Sequence, residues 1–281
     1  MEAGRITTTS ALSTVGLPLF APADRPDRYA KALASGADAV IFDLEDAVAI
    51  SDKEQARSLL SEAREALASA PCPKLVRINA EGTPFHAADL VAARNLPLAG
   101  LVVPKVESVD TVRSVADKTG LPVLALIESG PGLAAARHIA AAGARLVFGS
   151  IDFAADLGCA LSRQALLFAR CELVLASRLA NAPTPLDGVT TAIKNLDQVR
   201  DDAAYAASLG FGGKLLIHPA QIDPAAAGFR PTEADIEWAA RVLAAGREGA
   251  AALDGAMIDA PVRLRAEQIL RRAKRSRKEV P

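Results

Sequence analysis

Leu121 to Gly158 reads LPVLALIESGPGLAAARHIAAAGARLVFGSIDFAADLG, which is strand, turn, helix, strand and turn in miniature. Val123 to Ile127 is an apolar run that stops at Glu128, and Leu146 to Phe148 is another that runs through Gly149 and Ser150 to Asp152. Short apolar runs flanked by glycine and separated by one amphipathic helix read as neighbouring parallel strands buried on both faces. In a parallel sheet the carboxyl ends lie on one side, so Glu128 and Asp152 project together from one rim. That is the rim on which α/β folds carry their chemistry.

Two carboxylates held close repel each other unless a positive charge lies between them, and a hard divalent cation supplies one. Capping of the following helix would account for either acid alone. Their occurrence together at consecutive strand ends favours a shared Mg²⁺, with Mn²⁺ as the substitute.

A chain of 281 residues allows one large domain or two small ones, and α/β barrels of roughly 250 residues count as one. Half of it is apolar (51%) and its formal net charge is -1, so the bulk is ordered and no global field favours nucleic acid or an anionic membrane. No apolar run approaches the ~20 residues of a membrane span, and the opening residues lack a secretion-signal core. A cytoplasmic location is expected. Cys72, Cys159 and Cys171 are odd in number and show no CxxC spacing, which speaks against zinc, a redox pair or a disulfide framework.

Outward from the central stretch, the same unit repeats. Residues 1–16 are polar and without period, and read as a frayed leader. LPLFAPA (17–23) is strand one, followed by a helix with Asp24 near its start and Gly36 closing it. ADAVIFDLEDAV is strand two, and Ser51 with Glu54 reads as a capping box opening a helix to Ala68. KLVRINA and GLVVPKVE are strands three and four, with helices over Thr83–Arg94 and Ser108–Thr119. After strands five and six come a helix from Arg163 to Ala180, strand seven in PLDGVTTA and a helix over Leu196–Leu209. Strand eight is GGKLLIHPAQI, and a last helix covers Thr232–Arg247.

Eight strand-then-helix units with short connections predict a TIM (β/α)8 barrel over residues 17–247. A doubly wound open sheet would need a glycine-rich phosphate fingerprint after strand one, and none stands there. Gly210-Phe211-Gly212-Gly213 precedes strand eight, on the stability face, and reads as a tight turn. Residues 248–281 fit no further unit and read as a helical lid or arm reaching a neighbouring subunit. The basic run Arg271–Lys278 at its end reads as a solvated helix terminus.

On this register the rim collects Asp24, Arg25, Asp43, Glu45, Asp46, Arg77, Asn79, Lys105, Glu107, Glu128, Asp152, Asp187 and His218. Arg77 interrupts an apolar strand, so it must be paired or face a ligand, and its fork suits a substrate carboxylate or enolate oxygen. His218 before Pro219 reads as structural. Ser129 and Ser150 have no histidine at motif spacing, so a serine triad is not supported.

These residues carry a resemblance. LFAPADRPDRYAKALASGADAVIFDLEDAV, VRINAEGT, VVPKVES, ALIESGPG, FGSIDFAADLG, GGKLLIHPAQI and GAMIDAPV together resemble the citrate lyase β-subunit-like branch of the HpcH/HpaI aldolase superfamily. The resemblance implies a Mg²⁺-dependent TIM-barrel carbon–carbon lyase acting on a 3-hydroxyacyl thioester such as a citryl, malyl or citramalyl derivative, with coenzyme A carried on the substrate. It implies a homotrimer or a dimer of trimers.

By the same resemblance, Glu128 and Asp152 match the metal carboxylates, Arg77 the arginine on the substrate's oxygens, and Glu45 and Asp46 the acidic pair near the metal waters. Asp259 resembles an aspartate offered to a neighbouring subunit's active site for proton transfer. Arg25 and Lys31 fall where coenzyme A phosphates are met, and Ser129 and Asp187 beside the substrate. Ile151 stands where many members have glutamate, and Ser129-Gly130-Pro131 replaces a common Thr-Ala-Arg, so substrate identity is the less determined part. The aldolase branch acting on free hydroxy-keto acids places a histidine where this chain has Asp46. A β-subunit serving an acyl-carrier partner is the other alternative.

Overall fold

A computed structural model of the chain describes residues 10–245, 251–253 and 256–278. Eight parallel strands follow one another in sequence order: β1 (Pro18–Pro22), β2 (Ala39–Asp43), β3 (Lys74–Arg77), β4 (Gly100–Val103), β5 (Val123–Ile127), β6 (Arg145–Phe148), β7 (Leu186–Asp187) and β8 (Gly213–Lys214). The chain just beyond β8 bonds back to β1, where Phe20 N donates to Leu216 O at 2.8 Å and Leu216 N to Pro18 O at 2.9 Å. The sheet therefore closes into the expected TIM-type α/β barrel.

The helices are α1 (Ser10–Thr14), α2 (Tyr29–Leu33), α3 (Lys53–Glu62), α4 (Arg64–Ser69), α5 (His86–Arg94), α6 (Val109–Thr119) and α7 (Gly130–Ala141). They continue with α8 (Ser150–Leu157), α9 (Leu167–Leu179), α10 (Leu196–Leu209), α11 (Ile222–Phe229), α12 (Glu233–Ala245) and α13 (Ala260–Lys278).

Strand alternation divides the core in two. Ala39, Ile41, Leu75, Val102, Leu124 and Leu126 join one cluster with Val147, Leu186 and Leu215, which fills the barrel. Val40, Phe42, Val76, Leu101, Val103 and their equivalents form the larger cluster under the helices. This is the layered packing that β/α barrels require.

The parity carries past the apolar residues. Asp43, Arg77 and Glu128 each follow an inward residue by two positions, so they continue the interior series at the carboxyl rim. At the opposite end Arg145 takes the inward position of β6.

Arg145 corrects the reading of residues 1–16 as a frayed leader. Residues 1–9 lie outside the described residues, but Leu12 and Val15 are buried in the barrel mouth. Arg145 Nη1 donates to Leu12 O and Val15 O, both at 2.6 Å, and Nε to Thr184 O at 2.9 Å. Three carbonyls accept from this buried cation, and burial, against the pull of Asp38, lowers its pKa to about 10. α1 is thus the plug of the barrel floor.

Three further boundaries differ. The eighth barrel helix is α11, because α12 packs on α13 instead: Ala239, Val242, Ile258, Ala266 and Ile269 form a separate small core. The C-terminal unit therefore begins with α12, at Glu233, and includes the antiparallel pair β9 (Ala251–Leu253) and β10 (Ala256–Ile258). Residues 248–250, 254–255 and 279–281 of the expected arm lie outside the described residues. Ser51 makes no capping box: its hydroxyl bonds Asp52, and Asp52 occupies the cap of α3. The helix expected from Arg163 starts at Leu167, and a loop over 158–166 separates it from α8.

Candidate active site

The carboxyl rim opens into a cavity of about 820 Å³, whose wall includes Asp43, Asp46, Arg77, Glu128, Ile151 and Asp152. Glu128 leaves β5 directly, and Asp152 sits in the first turn of α8. Neither acid caps a helix: Ser129 caps α7 by accepting from Gly132 N at 3.2 Å, and α8 has Gly149 at its cap without a side-chain bond.

Gly149 explains how the two acids come to share one space. A Cβ there would stand 2.3 Å from Glu128 Cγ, so the Glu128 side chain lies across the β6 end, toward α8. No residue but glycine leaves that room.

Burial, and then the charges of Glu45 and Asp152, push the Glu128 carboxyl up to about 8. Glu45 is likewise raised to about 7, first by burial and against the pull of Arg77. Two hard carboxylates that penalise each other in a half-closed cavity fit a divalent cation completed by water and substrate. Among the described residues no group of three or more His, Cys, Asp or Glu is placed to hold a metal, so an all-protein cage is not what this rim offers.

Both shifts are upward, so between pH 4.5 and about 8 the folded chain holds protons that the unfolded chain has released. Stability from these groups is therefore lost as pH rises. A cation competes with those protons. The Mg²⁺-induced rise in melting temperature is expected to be clearly larger at pH 8 than at pH 6, and an equal or smaller rise would contradict a carboxylate site. Differential scanning fluorimetry at both pH values reads it.

Arg77 is paired, and it also lines the cavity. Nε donates to Asp43 Oδ1 at 2.7 Å and Nη2 to Asp43 Oδ2 at 2.6 Å, a bidentate contact, while Nη1 reaches Asp46 Oδ2 at 3.1 Å. Glu45 Oε2 lies 2.9 Å from Nη1 without the alignment of a hydrogen bond. Burial works against the guanidinium charge, but Asp43 outweighs it and holds the group above the ordinary arginine range. The face of Phe20 covers it, with the centroid 4.9 Å away. Asp43 also accepts from Glu45 N and Ala47 N, which fixes the loop carrying the acidic pair.

Several expected site residues stand elsewhere. Arg25 is bound to Asp27 at 2.9 Å on the surface and is not on the cavity wall. Lys31 is on the wall, joined by Arg28, which the sequence reading passed over. Ser129 is committed to its cap and to Glu107 Oε1 at 2.6 Å. Asp187 has outward parity: it pairs with Arg170 at 3.0 Å in a separate 140 Å³ pocket under the helices, with Lys214 and Thr190. Asp259 is exposed at the start of α13, where Oδ1 accepts from Val262 N at 3.1 Å, away from its own cavity. His218 Nδ1 accepts from Ala220 N at 3.1 Å, the structural role expected of it, and its ring lines the cavity. The three cysteines are free. Among the described residues no helix is long and apolar enough to cross a membrane.

A closed β/α barrel with an acidic, water-accessible rim defines an enzyme of the barrel class, with its chemistry at the carboxyl ends of the strands. The chain belongs to the HpcH/HpaI aldolase/citrate lyase family, whose model matches residues 17–219. It is 39% identical over 266 residues to the citrate lyase subunit beta-like protein of Mycobacterium tuberculosis strain H37Rv, covering 91% of this chain and 94% of the relative. The (3S)-malyl-CoA thioesterase of Cereibacter sphaeroides strain ATCC 17029 is 35% identical over 251 residues, 86% of this chain and 88% of that protein. The crystal structure of CitE from Mycobacterium tuberculosis in complex with magnesium, acetoacetate and coenzyme A superposes with a TM-score of 0.82. The two chains are 37% identical, with 93% of this chain and 99% of that one covered.

Proposed function

We propose that this chain is a Mg²⁺-dependent carbon–carbon lyase that cleaves or forms a 3-hydroxyacyl-CoA thioester. The carrying observation is that Glu128 and Asp152, two carboxylates from consecutive strand ends, line one cavity large enough for an acyl thioester, where burial and then the charges of Glu45 and Asp152 raise the proton affinity of Glu128. The relatives described with magnesium, with coenzyme A and as a malyl-CoA thioesterase support the same reading.

Glu128 and Asp152 would hold the cation through hard carboxylate oxygens. When bound, it supplies a Lewis acid for a 2-oxo or 2-hydroxy acid oxygen. The residues of the chain divide the remaining work. Arg77, fixed by Asp43, presents a rigid positive edge to the substrate's oxygens. Glu45, raised to about 7, is suited to receive the hydroxyl proton whose loss starts retro-Claisen cleavage. Arg28 and Lys31, exposed beside the cavity, are suited to coenzyme A phosphates. The apolar wall of Leu126, Phe148, Val189 and Ile217 excludes water from the thioester enolate.

Asp259 would return a proton to the carbon of that enolate in a neighbouring barrel, which makes the active form a homotrimer or a dimer of trimers in the cytoplasm. An acid exposed on the arm and absent from its own cavity favours that reading.

The test is direct. The purified chain alone, with Mg²⁺, is incubated with malyl-, citramalyl- and citryl-CoA, and glyoxylate, pyruvate and oxaloacetate are measured. Release of one 2-oxo acid, lost in EDTA, is expected. Release of free coenzyme A without any 2-oxo acid would make it a thioesterase instead, and silence on all three would sink the reading.

A further inference from the structure

Eight described residues have positive φ, and six are glycines: Gly36, Gly82, Gly120, Gly143, Gly158 and Gly210. Of the other two, Asn181 (φ 53) is a residue type that tolerates the left-handed region, and Lys105 (φ 51) is not. Chains place glycine at such turns because any Cβ adds strain, and among the described residues only Lys105 departs from the glycine or asparagine that tolerates them.

The strain at Lys105 is fixed from both sides. β4 ends at Val103, Pro104 offers no N–H, and immediately after the lysine Val106 N donates to Leu126 O at 3.2 Å with its side chain fully buried. Gly132 packs so closely on Val106 O that an added Cβ would stand 2.7 Å from it. The next residue, Glu107, takes the Ser129 hydroxyl. The turn is thus required by the packing, and glycine would make it with less strain.

What the lysine adds is a charge. Its Nζ lies 3.9 Å from Glu45 Oε1, while Arg77 Nη1 stands 2.9 Å from Oε2, so the buried Glu45 carboxylate is held between two cations. Arg77 already serves Asp43 and Asp46 and cannot hold both sides. Outliers of this kind persist where the side chain does something a glycine could not.

We propose that Lys105 is a positioning residue, retained in a strained turn because its ammonium closes a clamp on Glu45 and offsets the negative charge of the acidic rim. Its catalytic consequence rests on the lyase reading above; its effects on strain and cation affinity do not.

Three variants separate these effects. Lys105→Met keeps the strained turn and loses the charge, Lys105→Arg keeps both, and Lys105→Gly loses both. Lys105→Gly is expected to melt about 2 °C above Lys105→Met. Lys105→Met is expected to bind Mg²⁺ several-fold more tightly by calorimetry, since a repelling charge is gone. It should also lose roughly tenfold or more in kcat, with KM for the thioester changed far less. Lys105→Arg is expected to regain most of that turnover.

Full turnover in Lys105→Met, or an equal loss in Lys105→Arg, would overturn the positioning role. A Gly variant no more stable than the Met variant would remove the strain argument. Should the parent protein cleave no thioester, the lyase reading fails, and the proposal then stands or falls on Mg²⁺ affinity, where an unchanged value in Lys105→Met overturns it.

Discussion

Alanine in place of Glu128 or Asp152 is expected to lower Mg²⁺-dependent thioester cleavage by about a thousandfold or more, the loss of several kcal/mol of charge stabilisation. The two variants should differ in stability. Glu128 is buried and its ionised form is opposed by Glu45 and Asp152, so its removal relieves a penalty that grows as pH rises toward about 8. Glu128→Ala without added metal is therefore expected to melt at or above the parent at pH 8. Asp152 is itself exposed in the first turn of α8, and Asp152→Ala should leave the metal-free melting temperature near the parent value. In both variants the Mg²⁺-induced shift should vanish. Turnover within tenfold of the parent in either variant, or an unaltered Mg²⁺ shift, would separate these acids from the cation.

Why the rim was legible, while part of its contents was not, follows from parity. A short apolar run ending in a polar or charged residue announces a strand and its carboxyl end, and eight strand-then-helix units announce closure. Glu128 was readable because Leu124 and Leu126 precede it at the inward spacing, and Arg77 because an arginine among Leu75, Val76 and Ile78 has to be accounted for.

Asp187 shows the opposite case. It lies one position after the inward Leu186, so alternation alone directs it outward, to Arg170, and that signal was present in the sequence but unused. Ser129 and Arg25 were misplaced for a different reason: a hydroxyl before Gly-Pro at a helix start is a cap first, and an arginine two residues from an aspartate pairs locally. The plug formed by α1 had no sequence signal of its own. Its apolar residues are few, and their burial depends on Arg145, more than a hundred residues away.

Arg77 carries the second large effect. Its guanidinium engages Asp43 through two bonds and stands beside Glu45 and Asp46, and its side chain and that of Asp43 are only 12% and 3% exposed. Removing one partner of a buried ion pair leaves the other charge uncompensated, which costs about 3–5 kcal/mol. Arg77→Met is accordingly expected to melt roughly 10 °C below the parent. The Asp43 oxygens also accept from the backbone of Glu45 and Ala47, so disturbing the pair disturbs the loop that carries the acidic residues.

The deficit has a pH signature. Arg77 pulls the Glu45 pKa down from where burial alone would put it, so without Arg77 that pKa rises beyond about 7. A raised folded-state value favours folding only while the proton is held, so stability is lost as pH climbs from 4.5 through that higher value. Arg77→Met should therefore lose more against the parent at pH 8 than at pH 6. Arg77→Lys should recover only part of the loss, since a single ammonium cannot engage both Asp43 oxygens and still reach Asp46. If Arg77→Met melts within 2 °C of the parent at pH 8, then Asp43, Glu45 and Asp46 do not depend on the arginine. The rigid positive edge proposed for the substrate's oxygens would then have no support.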